Sequence, residues 1–97
     1  MRRLYLKSPA NLDYATAVSY IEERQPGLGR EFEQEIEKLF ERIKDFPESS
    51  PQIARNVRKA TLHRFKYKIC FTIEGDKIGI LAIYHPSRDP DALRKRF

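Results

Sequence analysis

Positions 64 to 85 most restrict what this chain can become, because apolar and polar side chains alternate with a period of two on both sides of a tight turn. Phe65, Tyr67, Ile69, Phe71 and Ile73 interleave with Arg64, Lys66, Lys68, Cys70 and Thr72, which predicts a strand with one apolar and one mostly basic face. Gly75-Asp76, flanked by Glu74 and Lys77, can take the positive φ angles of a two-residue hairpin, after which Ile78, Ile80, Ala82 and Tyr84 resume the alternation. Pairing Glu74 with Lys77 sets Ile73 against Ile78, Phe71 against Ile80, Ile69 against Ala82 and Tyr67 against Tyr84 on the core face. On the other face Lys66 falls opposite His85 and Arg64 opposite Ser87, with Lys68 and Arg88 nearby. The reading is a cationic patch, with one titratable imidazole, at one end of the hairpin.

Upstream, Leu4 and Leu6 alternate within Arg3 to Lys7 and predict a short strand. Ser8-Pro9 then reads as a helix start, with Ser8 as N-cap and Pro9 in the first helical position. Ala10, Tyr14, Ala17, Val18 and Ile21 recur at helical spacing as far as Arg24, and Pro26-Gly27 stops that helix. A second helix follows at once, with Leu28, Phe32, Ile36, Leu39, Phe40, Ile43 and Phe46 as its apolar stripe and a run of glutamates on its wet side. So short a connection implies an antiparallel helical hairpin. Pro47 to Pro51 ends the helical half, and Val57 to Leu62 reads as a further strand.

The expected architecture is therefore α+β, in the order β, α, α, β, β, β: a strand, an antiparallel helical hairpin, a three-stranded antiparallel meander and a short C-terminal segment. Leu81 and Ile83 make the last strand apolar on both sides, so its second face needs a cover. The C-terminal segment, with Asp89 capping a short helix that has Pro90 in its first position, can supply it, as can a second copy or a partner's helix or strand.

At 97 residues the chain is expected to be one domain, 1–97, and its 40% hydrophobic and 34% charged residues describe a globular rather than a disordered protein. No apolar run approaches the roughly 20 residues of a membrane helix. The stretch Met1 to Lys7 lacks the length and cleavage pattern of a secretory signal, so the expected location is the cytoplasm, without a membrane partner. Cys70 is the one cysteine, which excludes an intramolecular disulfide and a thiolate zinc site. With no Gly-rich phosphate loop, no His-x-x-x-His pair and no calcium-type acidic spacing, no cofactor or metal is expected.

Charge is divided unevenly. Residues 1–50 hold 8 Lys/Arg against 10 Asp/Glu, a net of −2, whereas residues 51–97 hold 11 against 4, a net of +7. A basic half of that size favours an anionic partner, either nucleic acid or an acidic protein segment.

The order of elements, the helical pair ending at Phe46-Pro47, the run Arg64-Phe65-Lys66-Tyr67-Lys68-Ile69, the turn Glu74-Gly75-Asp76 and the ending Ile80-Leu81-Ala82-Ile83-Tyr84-His85 with Ser87-Arg88-Asp89-Pro90 resemble the RelE/ParE superfamily of toxins from bacterial type II toxin-antitoxin systems. The resemblance covers nearly the whole chain. Its His-x-x-Arg-Asp-Pro ending is more similar to the ParE branch, often labelled plasmid stabilisation proteins, than to the RelE branch. The ParE resemblance implies a growth inhibitor that binds and poisons DNA gyrase and is neutralised by a cognate antitoxin. The protein would then occur as a homodimer or as a toxin-antitoxin hetero-oligomer. The RelE resemblance implies an enzyme that cleaves messenger RNA on the ribosome.

Metal-independent RNA cleavage needs a base for the 2′-hydroxyl, an acid for the leaving 5′-oxygen and cations for the charged phosphorane. His85 with Arg58, Arg64 and Arg88 can supply these roles, and Tyr67 or Tyr84 a proton or a stacking surface. The hairpin register, however, sets both tyrosines on the core face, away from Lys66 and His85. The chain also ends in Leu93-Arg94-Lys95-Arg96-Phe97, without the C-terminal tyrosine of RelE-like nucleases. No catalytic residue is therefore assigned. The residues expected to bind target or antitoxin are Arg58, Arg64, Lys66, Lys68, Leu81, Ile83, His85 and Arg88. The duller reading makes Arg64, Lys66 and Lys68 a solvated strand face that discourages edge pairing, and a further alternative is a non-toxic basic nucleic-acid-binding module.

Overall fold

In the computed structural model, which describes residues 2–94 and 96, the chain runs β1 (Arg3–Leu6), α1 (Ser8–Arg24), α2 (Leu28–Asp45), a 3-10 turn (Pro47–Ser49), β2 (Gln52–Ala54), β3 (Val57–Leu62), β4 (Tyr67–Glu74) and β5 (Lys77–Tyr84). The architecture is α+β as expected. The strands form one sheet in the order β1-β5-β4-β3-β2, with β1 parallel to β5 and every other pair antiparallel. β2 is the strand that alternation did not reveal. All three of its residues are exposed and its register against β3 is irregular, so it carries no apolar periodicity.

The helical pair packs on one face of the sheet. Phe32, Ile36, Leu39, Phe40 and Ile43 of α2 and Ala10, Ala17 and Ile21 of α1 meet Ile69, Phe71, Ile78, Ile80 and Ile83 of the sheet. Phe46 leaves the predicted stripe, because it lies one residue past the helix at φ −137° and is 67% exposed. Ser8 is likewise not the N-cap. Lys7 takes that position, Ser8-Pro9 open the first turn, and no side chain caps it. Between the helices Gly27 adopts φ 94°, and the Glu22 carboxylate accepts the N–H groups of Gly27 and Gly29, supplying the cap that α2 lacks from its own N-cap residue.

The hairpin holds its predicted register from Glu74–Lys77 to Phe71–Ile80 and then loses it. Gly75 takes the positive φ of the turn at 64°, and Asp76 does not. Past Ile80, Cys70 pairs with Ala82, so Leu81 is an extra residue in β5, a β-bulge. The bulge shifts every later pairing by one: Ile69 faces Ile83 instead of Ala82, and Tyr84 lies opposite Lys68 instead of Tyr67. A one-residue slip exchanges the faces of a strand. Ile83, expected on the outer face, is therefore 3% exposed in the main core, whereas Ala82 and Tyr84 turn to the second face with Cys70, Val57 and Leu81.

β4 also starts later than expected. Leu62 pairs with Tyr67, so His63 to Lys66 must reverse the chain, with Lys66 N–H bonded to the His63 carbonyl and Lys66 at φ 61°. Arg64 and Lys66 thus sit in a turn rather than on a strand face. Alternation ran on through the turn and concealed it.

The second sheet face is covered from within the chain. Leu93 packs on the cluster of Val57, Cys70 and Ala82, although residues 90–94 form successive turns rather than the predicted helix. Lys95 and Phe97 of the expected C-terminal segment lie outside the described residues, as does Met1. β1 stops at Leu6, opposite Ile80, which leaves the outer edge of β5 beyond that point without a strand. Asp13 of α1 accepts the Ile83 N–H at 2.9 Å and holds the Arg96 guanidinium through both oxygens, at 2.6 and 2.9 Å, while Arg96 donates to the Leu81 carbonyl at 3.0 Å. A salt-bridged pair thus satisfies the open edge.

Asp13→Ala strands the Ile83 N–H and the Arg96 charge, at a cost of about 1–3 kcal/mol. Each kcal/mol lowers the Tm of a domain this size by roughly 4–8 °C. Asp13→Asn retains an acceptor and should lose less; a thermal melt of Asp13→Ala that matches the parent would contradict this.

Candidate functional site

The bulge that buries Ile83 also turns His85 toward the helical side of the sheet. Its ring meets Tyr67 edge to face, with centroids 5.5 Å apart and planes at 84°. The His85 carbonyl accepts the N–H groups of Arg88 at 3.2 Å and Asp89 at 2.9 Å, which folds Pro86 to Asp89 into a tight turn. That turn brings Arg88 back over α1. Its guanidinium stacks 3.9 Å from the centre of the Tyr20 ring and donates to the Tyr67 hydroxyl. The separation of hydroxyls from cations expected from the unbulged register is thus overturned for Tyr67, which lies beside both His85 and Arg88. Tyr84 also leaves the core face, and lies opposite Lys68 and against Cys70 on the second face.

These contacts shift the titrations in ways that follow from burial and charge. Burial, then the positive field of Arg88 and to a smaller degree that of Lys66, hold His85 below its ordinary value, so the imidazole is neutral at neutral pH. Burial raises the Tyr67 hydroxyl above the usual phenol range, with Arg88 opposing it. A hydrogen bond from Arg24 lowers Tyr20. On the far face burial pushes the Cys70 thiol to about 11 and Tyr84 to about 12, which leaves that thiol a packing group.

The predicted binding residues divide into three groups. Lys66, Lys68 and His85 border one hollow with Thr61, His63 and Ser87, so Lys66 and His85 do come together, through a turn rather than through strand register. Arg64 does not reach Ser87. It turns to α2, forms an ion pair with Glu31 and lies over the Phe65 ring at 4.9 Å. Arg58 is taken up by the fold, donating to the carbonyls of Ser50 at 2.7 Å and Glu48 at 3.2 Å and so tying down the segment before β2. Leu81 is half-buried at the bulge and Ile83 is core. Neither offers the exposed apolar strand face that was expected.

Tyr20 and Asp13 are the participants that sequence reading missed. Both lie on α1, and Tyr20 falls three residues after Ala17 on the buried side, a spacing that could have placed it against the sheet. Its partner Arg88 is unpredictable from helical spacing. Among the described residues no group of three His, Cys, Asp or Glu side chains is placed to hold a metal ion.

A family model described as the ParE toxin of the type II toxin-antitoxin system parDE matches residues 4–90. The chain belongs to the ParE toxin family. Among solved structures, a chain from the chromosomal ParDE TA system of P. aeruginosa superposes with a TM-score of 0.76 at 21% identity, covering 88% of this chain and 96% of that one, which agrees with a ParE-like fold. No protein of curated function matches significantly. In this family member the His85-x-x-Arg88-Asp89-Pro90 segment is the turn that stacks Arg88 on Tyr20.

Removing the guanidinium in Arg88→Ala takes away the main charge that disfavours imidazolium and opens the ring to water. The His85 pKa should then rise toward the ordinary histidine value, which NMR titration of the ring protons would read. An unmoved midpoint would contradict this assignment.

Proposed function

We propose that this chain is a toxin that arrests growth in the cytoplasm by binding DNA gyrase, and that a cognate antitoxin neutralises it by laying an acidic, amphipathic segment over the cationic surface around Lys66, Lys68, His85 and Arg88. The observation that carries this reading is the ParE family match across residues 4–90, in a fold that sets Lys66, Lys68 and His85 around one hollow and Lys66 and Arg88 around the next. The P. aeruginosa structure comes from a ParDE TA system, which supports an antitoxin partner here. A chain with a net of +7 in its second half would attract an acidic tail over a range set by ionic strength, and burial of the tail's apolar side would add to the affinity. Among the described residues no helix is long and apolar enough to cross a membrane.

A second reading draws on one specific contact. Tyr67, His85 and Arg88 lie together, so an imidazole, a phenol and a guanidinium share one cluster, the types of group an endoribonuclease would need. The raised Tyr67 hydroxyl and its burial weigh against it as a proton donor at neutral pH.

Purified protein should block gyrase supercoiling or trap cleaved DNA. Arg88→Ala should weaken that inhibition about tenfold, the equivalent of roughly 1.4 kcal/mol of binding. Inactivity toward gyrase, combined with transcript cleavage on translating ribosomes that His85→Ala abolishes, would replace the first reading with the second.

A further inference from the structure

Thr61 from β3, Lys68 from β4, His63 and Lys66 from the turn between them, and His85 and Ser87 after β5 surround a hollow of about 350 Å³. Each of these six side chains can donate a hydrogen bond, and no carboxylate lines the hollow among the described residues. Some cations elsewhere in the molecule are matched, Arg2 with Glu48, Lys7 with Glu74, Arg64 with Glu31 and Arg96 with Asp13, whereas others such as Arg24, Lys77 and Arg88 are not, among the described residues. Lys66 and Lys68 have no carboxylate partner among the described residues, and the Lys68 ammonium donates to the Thr61 hydroxyl at 3.0 Å. Two ammonium groups are thus held beside two imidazoles with nothing negative between them.

The backbone adds an independent sign. Lys66 adopts φ 61°, a conformation unfavourable for a long side chain and one that glycine or asparagine would take more readily. A strained position that carries a charged residue facing a cavity is a place where the side chain, not the turn, explains the choice. The field is felt within the site, where Arg88 and Lys66 both disfavour protonation of His85.

We infer that this hollow is a phosphate-binding site and that the phosphate it takes is a phosphodiester of a nucleic-acid strand. A tetrahedral oxyanion accepts from several donors at once, which matches a ring of ammonium, imidazole and hydroxyl groups and no acceptor-only side chain. The strand, rather than a free anion, follows from what lies beyond the hollow. Lys66 also borders a neighbouring recess with Arg24 and Arg88, neither of which has a carboxylate partner among the described residues. Cations therefore continue along the surface as a track, and a strand presents successive phosphates to such a track. Bases gain little here, because Tyr67 is buried and Arg88 covers the Tyr20 ring. Binding should be largely indifferent to sequence and sensitive to salt. Bound phosphate would also favour imidazolium, so binding should draw a proton onto His85 against the opposing fields of Arg88 and Lys66, with Lys68 and His63 facing the same hollow.

The site is independent of the gyrase reading and is tested without gyrase. Anisotropy of a short labelled single-stranded oligonucleotide should report binding by the full chain that weakens as salt rises. Lys66→Gln with Lys68→Gln should reduce affinity at least tenfold and flatten the salt dependence by about one unit for each phosphate contact removed, whereas Lys77→Gln, at the opposite end of the hairpin, should change nothing. All three positions are at the surface or half-buried, and circular dichroism confirms that each variant is folded. Inorganic phosphate and a mononucleotide, titrated at constant ionic strength while the His85 ring is followed by NMR, separate the sources. If these small anions move the His85 signal while the oligonucleotide fails to bind, the strand assignment is overturned. If the double variant binds the oligonucleotide as Lys77→Gln does, the site itself is overturned.

Discussion

Between Ile80 and Ala82 the last strand carries one residue more than its neighbour, and every side chain beyond that point changes face. An unbulged β5 would send Ala82 and Tyr84 under the helices and leave Ile83 outside. With Leu81 inserted, Ile83 fills the core against Ile69, Tyr84 joins Cys70 on the far side, and His85 arrives beside Tyr67. The insertion seats Ile83 in the main core and moves Ala82 and Tyr84 to the second cluster. The same insertion that sets the packing therefore builds the site.

A bulge also ends regular pairing on its outer side, and the fold must satisfy what it leaves. β1 is only four residues long and stops level with Ile80. Beyond it the Leu81 carbonyl and the Ile83 N–H point away from β4 with no strand to meet them. Asp13 and Arg96 close that edge from two directions, one from the first helix and one from near the end of the chain. The clasp fixes α1 against β5, and α1 in turn supplies Tyr20, the ring under Arg88. Edge protection and site geometry therefore share one helix.

What was legible in the sequence is what depends on local periodicity. Both helices, β1, β3, the turn at Gly75 and the near half of the hairpin follow from spacing that each segment carries by itself. The failures share a cause as well. The extra residue at Leu81 is invisible in a run, Ile80 to Tyr84, that is apolar at every position, because either register buries something acceptable. The turn at His63 to Lys66 was hidden because its residues happen to continue the alternation of the strand behind them. β2 has no apolar face to announce it. For the site, the cations themselves were readable and their assignments were not. Arg64, Lys66 and Lys68 stand two apart in the sequence, yet one pairs with an α2 glutamate, one juts from a turn and one stays on the strand.

That dispersal changes how the charge asymmetry should be read. A net of +7 over 47 residues looks like one field, but the fold consumes part of it. Arg58 holds carbonyls, Arg64 is neutralised by Glu31, and Arg96 is neutralised by Asp13. Pairs as exposed as Arg64 and Glu31 add little stability, but they do remove a charge from the surface that a partner would meet. Lys66 and Lys68 stay uncompensated beside His85, whose charge Lys66 helps to suppress, and like charges held together lower the stability of the folded state. An anion that enters this end of the sheet relieves that repulsion. Its gain is larger than at an isolated lysine, because it removes the mutual repulsion of the groups around it as well as pairing with each.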